Sequence, residues 1–279
     1  MTPDEAAARI TASFPDLACS SVVPVPQQGW DFHTFTINDG WIFRFPRSED
    51  ARRALVLEIA LLPDISATLP TSVPKPVYID PAGAFAGYRR IDGEQVGTDP
   101  APSVAVALGG ALTVLHAMDI APALAAGVDG GYRPDDASVL GALRDAVLPH
   151  LTADERSRGT RLFDEIISCV DRAPRGLRHT DLGPAHVLVI DDALSGIIDW
   201  GDLSVGDPAL DLAWALSATP TRFADAFAQG YGSIDAATRR RATLHWANGP
   251  WHEVGYGLRT GRSAFIETGL EGVRARLPA

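Results

Sequence analysis

Short runs of alternating apolar residues in the first third of the chain predict an antiparallel sheet. Turn-prone residues bound each run, and Asn38-Asp39-Gly40 is a strong hairpin signal. The strands that this pattern predicts are Ser21–Pro26, Phe32–Ile37, Trp41–Phe45, Val77–Ile79 and Ala86–Ile91. Helical periodicity predicts helices at residues 4–13 and Ser48–Leu62, the second with Ser48 as its N-cap and Pro63 as its end.

Helical patterns dominate after Asp92-Gly93, the dipeptide at which we predict a hinge. The predicted helices are Ser103–Met118, Ser138–Leu148, Ala153–Val170, Asp207–Ala218 and Arg222–Gly230, with further helices to the end. Before residue 207, the β-branched runs Val187–Ile190 and Gly196–Ile198 predict a hairpin with the loop Asp191–Ser195. The predicted fold class is α+β, with a small β-rich lobe (residues 1–92) before a larger, mostly helical lobe (residues 93–279).

This second hairpin is bordered by acidic residues on short polar turns. Asp181 precedes its first strand, and Asp199 ends its second strand. The hairpin should bring both carboxylates to one edge, with Gly183-Pro184 keeping the intervening loop rigid. Such a pair suits phosphoryl transfer, in which one carboxylate orients and deprotonates a hydroxyl and the other holds Mg²⁺ against nucleotide phosphates. Asp181 suits the first role and Asp199 the second.

His179-Thr180-Asp181 and Ile198-Asp199-Trp200 resemble the catalytic and metal-binding loops of the antibiotic phosphotransferases. These are aminoglycoside and macrolide kinases with a protein-kinase-like fold. Gly206–Ala213 and Trp41–Arg47 extend the resemblance, which covers about residues 27–216. It implies a bilobal kinase-like fold, ATP or GTP as phosphate donor, Mg²⁺ as cofactor and an antibiotic hydroxyl as acceptor.

The chain departs from the family pattern at two positions. His186 stands where the family usually has Asn, so it is expected either to bind the metal through a neutral nitrogen or to hold one of its waters. The usual Lys is missing, since Lys75 is the only lysine and lies between two prolines. Arg44 is therefore expected to pair with phosphate, with Glu58 as its partner. An ordinary surface ion pair is the alternative for these two residues.

The nucleotide base is expected beside the hinge segment Tyr88–Asp92. Extended backbone there, including Arg90 and Ile91, can bind a base edge, and Ile198 is a candidate contact for the base. The loop Gln27–Asp31 takes the place of a phosphate-covering turn, although its one glycine makes it no phosphate cradle by itself.

Four polar residues near the two carboxylates have weaker assignments. His179 is expected to stiffen the loop through backbone hydrogen bonds rather than to react. Asp202 is a candidate for a second metal or water contact and for the acceptor site. Asp207, before a proline, is expected to cap a helix, and Asp211 to brace the catalytic loop.

The helices after residue 211 are expected to line the acceptor site. The candidate residues there are Trp246, Trp251, Glu253 and Tyr256. Tryptophan is more often a core residue than a ligand platform, so these two rings have that alternative. The cluster does not decide between an aminoglycoside, a macrolide and a basic peptide antibiotic.

The composition restricts the classes of partner that we expect for this protein. The formal net charge of −11 argues against binding to nucleic acid or anionic membranes and favours cationic small molecules, although solubility alone also explains it. The two cysteines are too few for a disulfide framework, and no long apolar stretch predicts a membrane span. We expect a cytoplasmic monomer.

Three other functions remain open. The same reaction with a housekeeping metabolite, such as an amino alcohol or a sugar, needs the same residues. The missing Lys and the His at position 186 also suit a non-catalytic nucleotide-binding protein. The third alternative uses His179, Asp181 and His186 as ligands of a hydrolytic zinc centre.

Overall fold

The computed structural model describes residues 1–26, 29–128, 133–170 and 172–278. An antiparallel sheet forms near the N-terminus, with the spatial strand order β1-β2-β3-β5-β4. Its strands are β1 (Val22–Pro24), β2 (Phe32–Ile37), β3 (Trp41–Pro46), β4 (Pro76–Ile79) and β5 (Ala86–Arg89). The predicted turn at Asn38-Asp39-Gly40 is confirmed, because Ile37 pairs with Trp41 across it. The observed strands β1 and β5 are shorter than the predicted ones.

The two faces of β3 have different partners, because successive side chains of a strand point to opposite sides. Phe43 and Phe45 are fully buried in an apolar cluster with Ile10 of helix α1 (Pro3–Ser13). Arg44 lies between them in sequence and bonds on the other face to Glu58. The sheet thus presents a cation to the side that carries the second helix.

That second helix, α2 (Glu49–Thr68), begins as predicted, since the Ser48 side chain accepts a backbone N–H of the first turn. The prediction that Pro63 ends it is wrong. Proline removes one helical hydrogen bond and crowds the preceding turn. The helix continues because Leu61, Leu62 and Ile65 around the proline are buried in the core, and tertiary packing outweighs the local loss.

A three-stranded sheet carries the predicted second hairpin. It joins β6 (Glu94–Gln95), β8 (Val187–Ile190) and β9 (Ala193–Ile197), in the order β6-β8-β9. The loop is shorter than predicted, because Ile190 pairs with Ala193 and leaves a two-residue turn. Asp191 and Asp192 both take positive φ there, which Asp tolerates better than most residues.

A separate ladder of two short strands positions both acidic turns. β7 (Gly176–Arg178) pairs antiparallel with β10 (Ser204–Gly206). The chain passes from β7 directly into residues 179–181, and it enters β10 directly after residues 199–203. Part of the predicted rigid loop is a 3₁₀ turn at Pro184–His186.

The remainder of the described chain is chiefly helical. Its helices are α3 (Pro102–His116), α4 (Ala121–Ala125), α5 (Ala137–Val147), α6 (Ala153–Val170), α7 (Ala209–Ser217), α8 (Thr221–Tyr231), α9 (Ala236–Thr260) and α10 (Ser263–Arg276). The largest apolar cluster runs from α2 through α3 to β8, β9, α7 and α8. A second cluster joins α5, α6, α9 and α10.

The predicted α+β class is confirmed by this combination of an antiparallel sheet and helices. Apart from the C-terminal end of α2, the predicted helix ends differ from the observed ones by at most two residues, and α4 was not predicted. Within the described ranges, no helix combines the length and apolar character needed to cross a bilayer.

Candidate active site

One buried carboxylate holds the loop that follows β7. Asp211, on α7, accepts the backbone N–H groups of His179 (2.7 Å) and Thr180 (2.8 Å). His116 Nε2 lies 3.1 Å from the same carboxylate. Burial acts to raise the pKa of Asp211, but the hydrogen bond with His116 outweighs it, and the pKa is lowered. Asp211 therefore fixes the backbone directly before Asp181, and its predicted bracing role is confirmed.

The His179 side chain joins this loop to the end of β9. The ring is fully buried, and its Nε2 donates to the Ile198 carbonyl oxygen at 2.9 Å. Trp200 packs beside it with ring centroids 4.7 Å apart. Burial, followed by the nearby His186, lowers the pKa of His179, so the ring is neutral at pH 7. The predicted structural role of His179 is thus confirmed, and its Nε2 is not available to a zinc ion.

A chain of polar contacts leads from β5 to Asp199. Tyr88 donates its hydroxyl to Glu58 (3.1 Å), and Arg44 Nη1 donates to the other oxygen of that carboxylate (2.5 Å). Arg44 Nη2 donates to Asp199 Oδ1 (2.8 Å). The Glu58 side chain is only 1% exposed, so the surface ion-pair alternative is wrong. The ring of Phe32 lies 4.0 Å from the guanidinium carbon of Arg44.

His186 lies between the two predicted carboxylates. Its Nδ1 is 2.5 Å from the Asp181 carbonyl oxygen, which can only accept, so Nδ1 carries the proton. In the neutral ring, Nε2 is therefore an acceptor, and it lies 3.7 Å from Asp199 Oδ2. Nδ1 also lies 3.7 Å from Asp181 Oδ2. The hairpin thus brings Asp181 and Asp199 to one edge, as the sequence predicts, with His186 contacting both.

Two strained backbone positions coincide with these acids. Thr180 and Asp199 have φ of 78° and 62°, in the left-handed region that non-glycine residues rarely adopt. The other non-glycine residues with positive φ in the described ranges all lie in hairpin turns: Asn38, Asp39, Asp191 and Asp192. Strain outside a turn persists only where the surroundings impose it, and it concentrates at functional sites.

The pKa values of the two carboxylates are shifted in opposite directions. Partial desolvation by the surrounding chain raises the pKa of Asp181, although part of its carboxylate still faces solvent, and His186 and His179 oppose this rise. Burial acts in the same direction on Asp199, but Arg44 and the two histidines outweigh it and lower its pKa. Asp181 is therefore the better proton acceptor of the two, and Asp199 is the one that more readily stays ionised.

Two further acids extend the negative charge. The pKa of Asp202 is raised to about 7 by burial, followed by repulsion from Asp181, Asp199 and Asp31. Burial and then the charge of Asp199 also raise the pKa of Asp31. The charges of Asp181, Asp199 and Asp31 thus act together on Asp202, and a cation bound near them would reduce this repulsion.

The candidate ligand atoms in this region fit a magnesium ion. Asp199 Oδ2 and His186 Nε2 lie 3.7 Å apart, and each atom has a lone pair that it can offer to one cation when the imidazole nitrogen carries no proton. No group of three or more His, Cys, Asp or Glu side chains with metal-binding geometry occurs in the part of the chain that is described. Mg²⁺ does not need one, because it is usually held by one or two carboxylates, waters and substrate phosphates. A hydrolytic zinc centre, with three protein ligands, does not fit the described residues.

The predicted nucleotide contacts have mixed support. The Arg90 backbone N–H donates to Gly40 (2.9 Å), so it is not available to a base edge. Ile91 packs against Gly196 of β9, where an added Cβ would lie 2.7 Å from the Ile91 side chain. Ile198 is half-buried, and its base contact stays a prediction. Gln27 and Gln28, in the predicted phosphate-covering loop, lie outside the described residues.

The predicted acceptor residues on α9 differ in burial and in their contacts. Trp251 is fully buried against Phe163, so the prediction that it lines the acceptor site is wrong. The Trp246 ring is covered by Arg276, whose guanidinium carbon lies 3.4 Å from the ring centroid. Glu253 accepts a hydrogen bond from Thr268 (2.5 Å).

Tyr256 differs from these three residues, because it contacts the segment that carries Asp31. Its ring stacks on Trp30 with centroids 4.0 Å apart, and Phe265 packs against both rings. Trp30 is followed directly by Asp31, one of the four acids. Tyr256 therefore remains a candidate acceptor contact.

Several residues of this region are not among those that the sequence pattern predicts. Trp30 and Asp31 belong to a predicted loop without an assigned role, and the pattern assigns no role to Arg178. Asp207 was expected to cap α7; it accepts the Ala209 N–H (3.1 Å), as predicted, but it also bonds to side chains of α9. The charge of Arg178 in the otherwise apolar β7 was the one local signal, because a charged residue in a buried strand needs a partner.

Comparisons with known proteins agree with this geometry. The model of the phosphotransferase enzyme family matches residues 22–245. The GDP complex of wild-type aminoglycoside 2'-phosphotransferase-IIIa is similar, with 27% identity, a TM-score of 0.89, and 99% of this chain and 98% of that chain covered. The apoenzyme of macrolide 2'-phosphotransferase MphH from Brachybacterium faecium has 25% identity and a TM-score of 0.73, with 97% of each chain covered.

A structure with a bound antibiotic is also among the similar ones. The GDP and kanamycin complex of APH(2")-IIia has 27% identity and a TM-score of 0.87, with 98% of each chain covered. The resemblance drawn from the two acidic motifs is confirmed by these matches. The family match spans most of the sequence and includes both acidic motifs, so the chain belongs to the phosphotransferase enzyme family.

Proposed function

We propose that this enzyme transfers the γ-phosphate of ATP or GTP to a hydroxyl of an aminoglycoside or macrolide antibiotic. The observation that carries the proposal is the position of His186, with Asp181 Oδ2 and Asp199 Oδ2 each 3.7 Å from its ring nitrogens. Two carboxylates with opposite pKa shifts at one edge suit the acid and base requirements of phosphoryl transfer.

The nucleotide is proposed to bind between the lobe of residues 1–92 and the lobe of residues 93–279. GDP occupies the similar aminoglycoside 2'-phosphotransferase-IIIa, which supports a nucleoside triphosphate as the donor. In this chain β6 follows the predicted hinge and pairs with β8, so the hinge lies beside the hairpin that carries Asp199. The backbone of Ile91 and the side chain of Ile198 are the proposed contacts to the base.

Asp181 is the proposed proton acceptor. Its carboxylate orients the attacking hydroxyl and takes the proton as the new O–P bond forms and the bond to the departing nucleoside diphosphate breaks. A raised pKa brings a carboxylate nearer to the operating pH, which makes it a better base.

Asp199 and His186 are the proposed residues for Mg²⁺, and Arg44 is the proposed partner of the phosphates. When bound, Mg²⁺ neutralises phosphate charge and aligns the phosphate chain. Arg44 offers a fixed fork of donors, and its bonds to Glu58 and Asp199 hold that fork at the metal side of the cleft.

Cationic acceptors fit the acidic character of this region. The carboxylates of Asp181, Asp199 and Asp31 repel that of Asp202, and a polyamine acceptor would reduce this repulsion. Kanamycin is bound in the similar APH(2")-IIia complex, and the apoenzyme of MphH is a macrolide 2'-phosphotransferase. We propose Asp202 and Tyr256 as acceptor contacts, and we expect a cytoplasmic monomer.

The experiment combines transfer and resistance measurements. Purified protein is mixed with γ-labelled ATP or GTP, Mg²⁺ and a panel of aminoglycosides, macrolides, basic peptide antibiotics, amino alcohols and sugars. Asp181→Asn is the matched control, because it keeps the size of the side chain and removes the base. In parallel, both proteins are expressed in a sensitive host and the inhibitory concentration of each drug is measured.

Each outcome leads to a different conclusion. Label transfer to an aminoglycoside or macrolide, lost in Asp181→Asn, supports the proposal. Transfer only to a basic peptide, an amino alcohol or a sugar keeps the chemistry and changes the substrate. A Mg²⁺-dependent rise in Tm with nucleotide, without transfer to any acceptor, overturns the proposal in favour of the non-catalytic nucleotide-binding protein.

A further inference from the structure

Arg178 is a fully buried cation directly before the catalytic loop, and the proposed reaction does not use it. Its guanidinium forms a two-pronged pair with Asp135, with both N–O distances at 2.7 Å. Its Nε donates to Ser204 Oγ (2.8 Å), and its Nη1 donates to the Asp207 carbonyl oxygen (3.3 Å). A charge in this setting is costly unless its donors are satisfied, and here three partners satisfy them.

The adjacent backbone leaves space for this guanidinium. Gly206 of β10 lies over it, and a Cβ at that position would approach the guanidinium carbon to 2.4 Å. Ser204 pairs directly with Arg178 across the β7–β10 ladder. Glycine at 206 and serine at 204 thus accommodate Arg178 by shape and by hydrogen bonding.

The Ser204 hydroxyl connects this cation to the strained residue before Asp181. Its oxygen lies 2.6 Å from Thr180 Oγ1, and Thr180 has a φ of 78°. Ser204 is 1% exposed, so water does not readily replace this contact. The Thr180 backbone N–H is bonded to Asp211, and the side-chain contact adds a second restraint at the same residue.

The other end of the network reaches two helices. Asp135 directly precedes Asp136, the N-cap of α5, and the pKa of Asp135 is lowered because hydrogen bonds from Arg178 outweigh the effect of burial. The Asp207 carboxylate accepts a bond from Arg241 (2.9 Å) and lies 3.1 Å from His245 Nε2, both on α9. The same α9 carries Tyr256, the proposed acceptor contact.

We infer that Arg178, Ser204 and Thr180 form a positioning relay that fixes the backbone before Asp181 to α5 and α9. The relay rests on the proposed function only in that Asp181 is the base whose position it controls. The three residues do not touch the reacting atoms. They determine how accurately the Asp181 carboxylate faces the acceptor hydroxyl, and misplacement of a catalytic group by about 1 Å can cost about 100-fold in rate.

The test removes single hydroxyl groups from the relay. Thr180→Val keeps the β-branched shape at a strained φ and removes only the hydroxyl, and Ser204→Ala removes its partner. Each should lower kcat by about 10-fold with the KM for nucleotide unchanged, because orientation is lost and phosphate binding is not. The double variant should be no slower than Ser204→Ala alone, since Ser204→Ala already breaks the contact with Thr180 in addition to the bond from Arg178 Nε.

Two further variants separate positioning from general stability. Thr180→Ser retains the hydroxyl and should recover most of the lost kcat. Thr219→Val is the matched control, because it removes a threonine hydroxyl that bonds the Ala215 carbonyl oxygen (2.7 Å) on α7, outside the relay. It should leave kcat unchanged, whatever its effect on Tm.

Gly206→Ala tests the cation end of the relay. The added Cβ displaces the guanidinium, so kcat should fall as in Ser204→Ala. Gly141→Ala, in α5 with no atom within 4 Å of the added Cβ, is its control. If Thr180→Val and Ser204→Ala lower Tm while kcat stays at the wild-type value, the contact is only structural and the inference is wrong.

Amide hydrogen exchange keeps this test independent of the acceptor. Thr180→Val and Ser204→Ala should accelerate exchange in residues 179–187 by at least about 5-fold, and Thr219→Val should not. Absence of transfer from wild-type protein to every acceptor overturns the proposed function alone. Unchanged exchange in both relay variants overturns the inference, even when wild-type protein transfers phosphate.

Discussion

Replacement of Asp181 by Asn should separate catalysis from stability. The Asp181 side chain is 64% exposed, and the backbone around it is held by Asp211 and by the Nδ1–H of His186. None of these backbone bonds needs the Asp181 carboxylate. The loop should therefore keep its conformation in Asp181→Asn, and Tm should change by no more than about 2 °C.

The rate should change far more. A positioned general base contributes about 10²- to 10⁴-fold, and each factor of ten corresponds to about 1.36 kcal/mol of barrier. Asp181→Asn should therefore lower kcat by at least about 100-fold, a barrier increase of about 2.7 kcal/mol or more. The KM for nucleotide should change little, because Arg44 and Asp199 remain in place.

The pH profile gives a second measurement of the same group. Burial raises the pKa of Asp181, and the ionised form is the one that accepts a proton. In wild-type protein kcat/KM should therefore fall as the pH drops through this raised pKa. The assay is steady-state transfer of labelled phosphate from pH 5 to 9, with Tm measured at each pH. A variant that keeps more than a tenth of the wild-type kcat, or the same acidic limb, would refute the role of Asp181 as the base.

Three further predictions follow from the same contacts. Asp199→Asn should abolish the Mg²⁺-dependent part of the rise in Tm that nucleotide produces; an undiminished rise would contradict the metal assignment. The pKa of Asp202 is raised to about 7 from an ordinary value of 3.8, so the stability of wild-type protein should decline as the pH rises between these values. Asp202→Asn should therefore have a higher Tm than wild-type protein from pH 5 to 8. Equal Tm curves would contradict the repulsion. Trp251→Ala should lower the free energy of unfolding in urea by about 3–5 kcal/mol and leave acceptor KM unchanged in the folded fraction; a selective rise in KM would restore Trp251 as a ligand contact.

The strands of the N-terminal sheet and of the second hairpin were predictable because their signals are local, whereas the short strands β6, β7 and β10 were not predicted. Alternation along Phe32–Ile37 and the turn residues at 38–40 define a hairpin without reference to distant parts of the chain. Asp181 shortly precedes the first strand of the second hairpin and Asp199 follows its last strand, so this hairpin indicates that they are near each other. The β7–β10 ladder, which fixes the two turns, pairs segments that are distant in sequence. Asp211 was predictable only from the resemblance, because its contacts with the catalytic loop are tertiary.

The predictions were wrong where tertiary packing, rather than local sequence, determines the structure. Pro63 is a strong local stop signal, but the apolar residues on both sides of it are buried, and the helix continues. Trp251 and Tyr256 have similar local surroundings on α9, yet one ring is fully buried against Phe163 and the other stacks on Trp30. Side chains five residues apart on a helix point in different directions, and only the packing of α9 determines which direction is the core.

Arg44 explains the absence of the usual lysine by geometry. One Nη atom bonds Glu58 and the other bonds Asp199, so a single planar group connects α2 to the end of β9. A lysine ammonium is a compact point charge, whereas guanidinium presents its donors in a rigid fork that can serve two carboxylates on different elements. Replacement of Arg44 by lysine would therefore retain the charge and lose the bridge between Glu58 and Asp199, so arginine at this position also connects α2 to the end of β9.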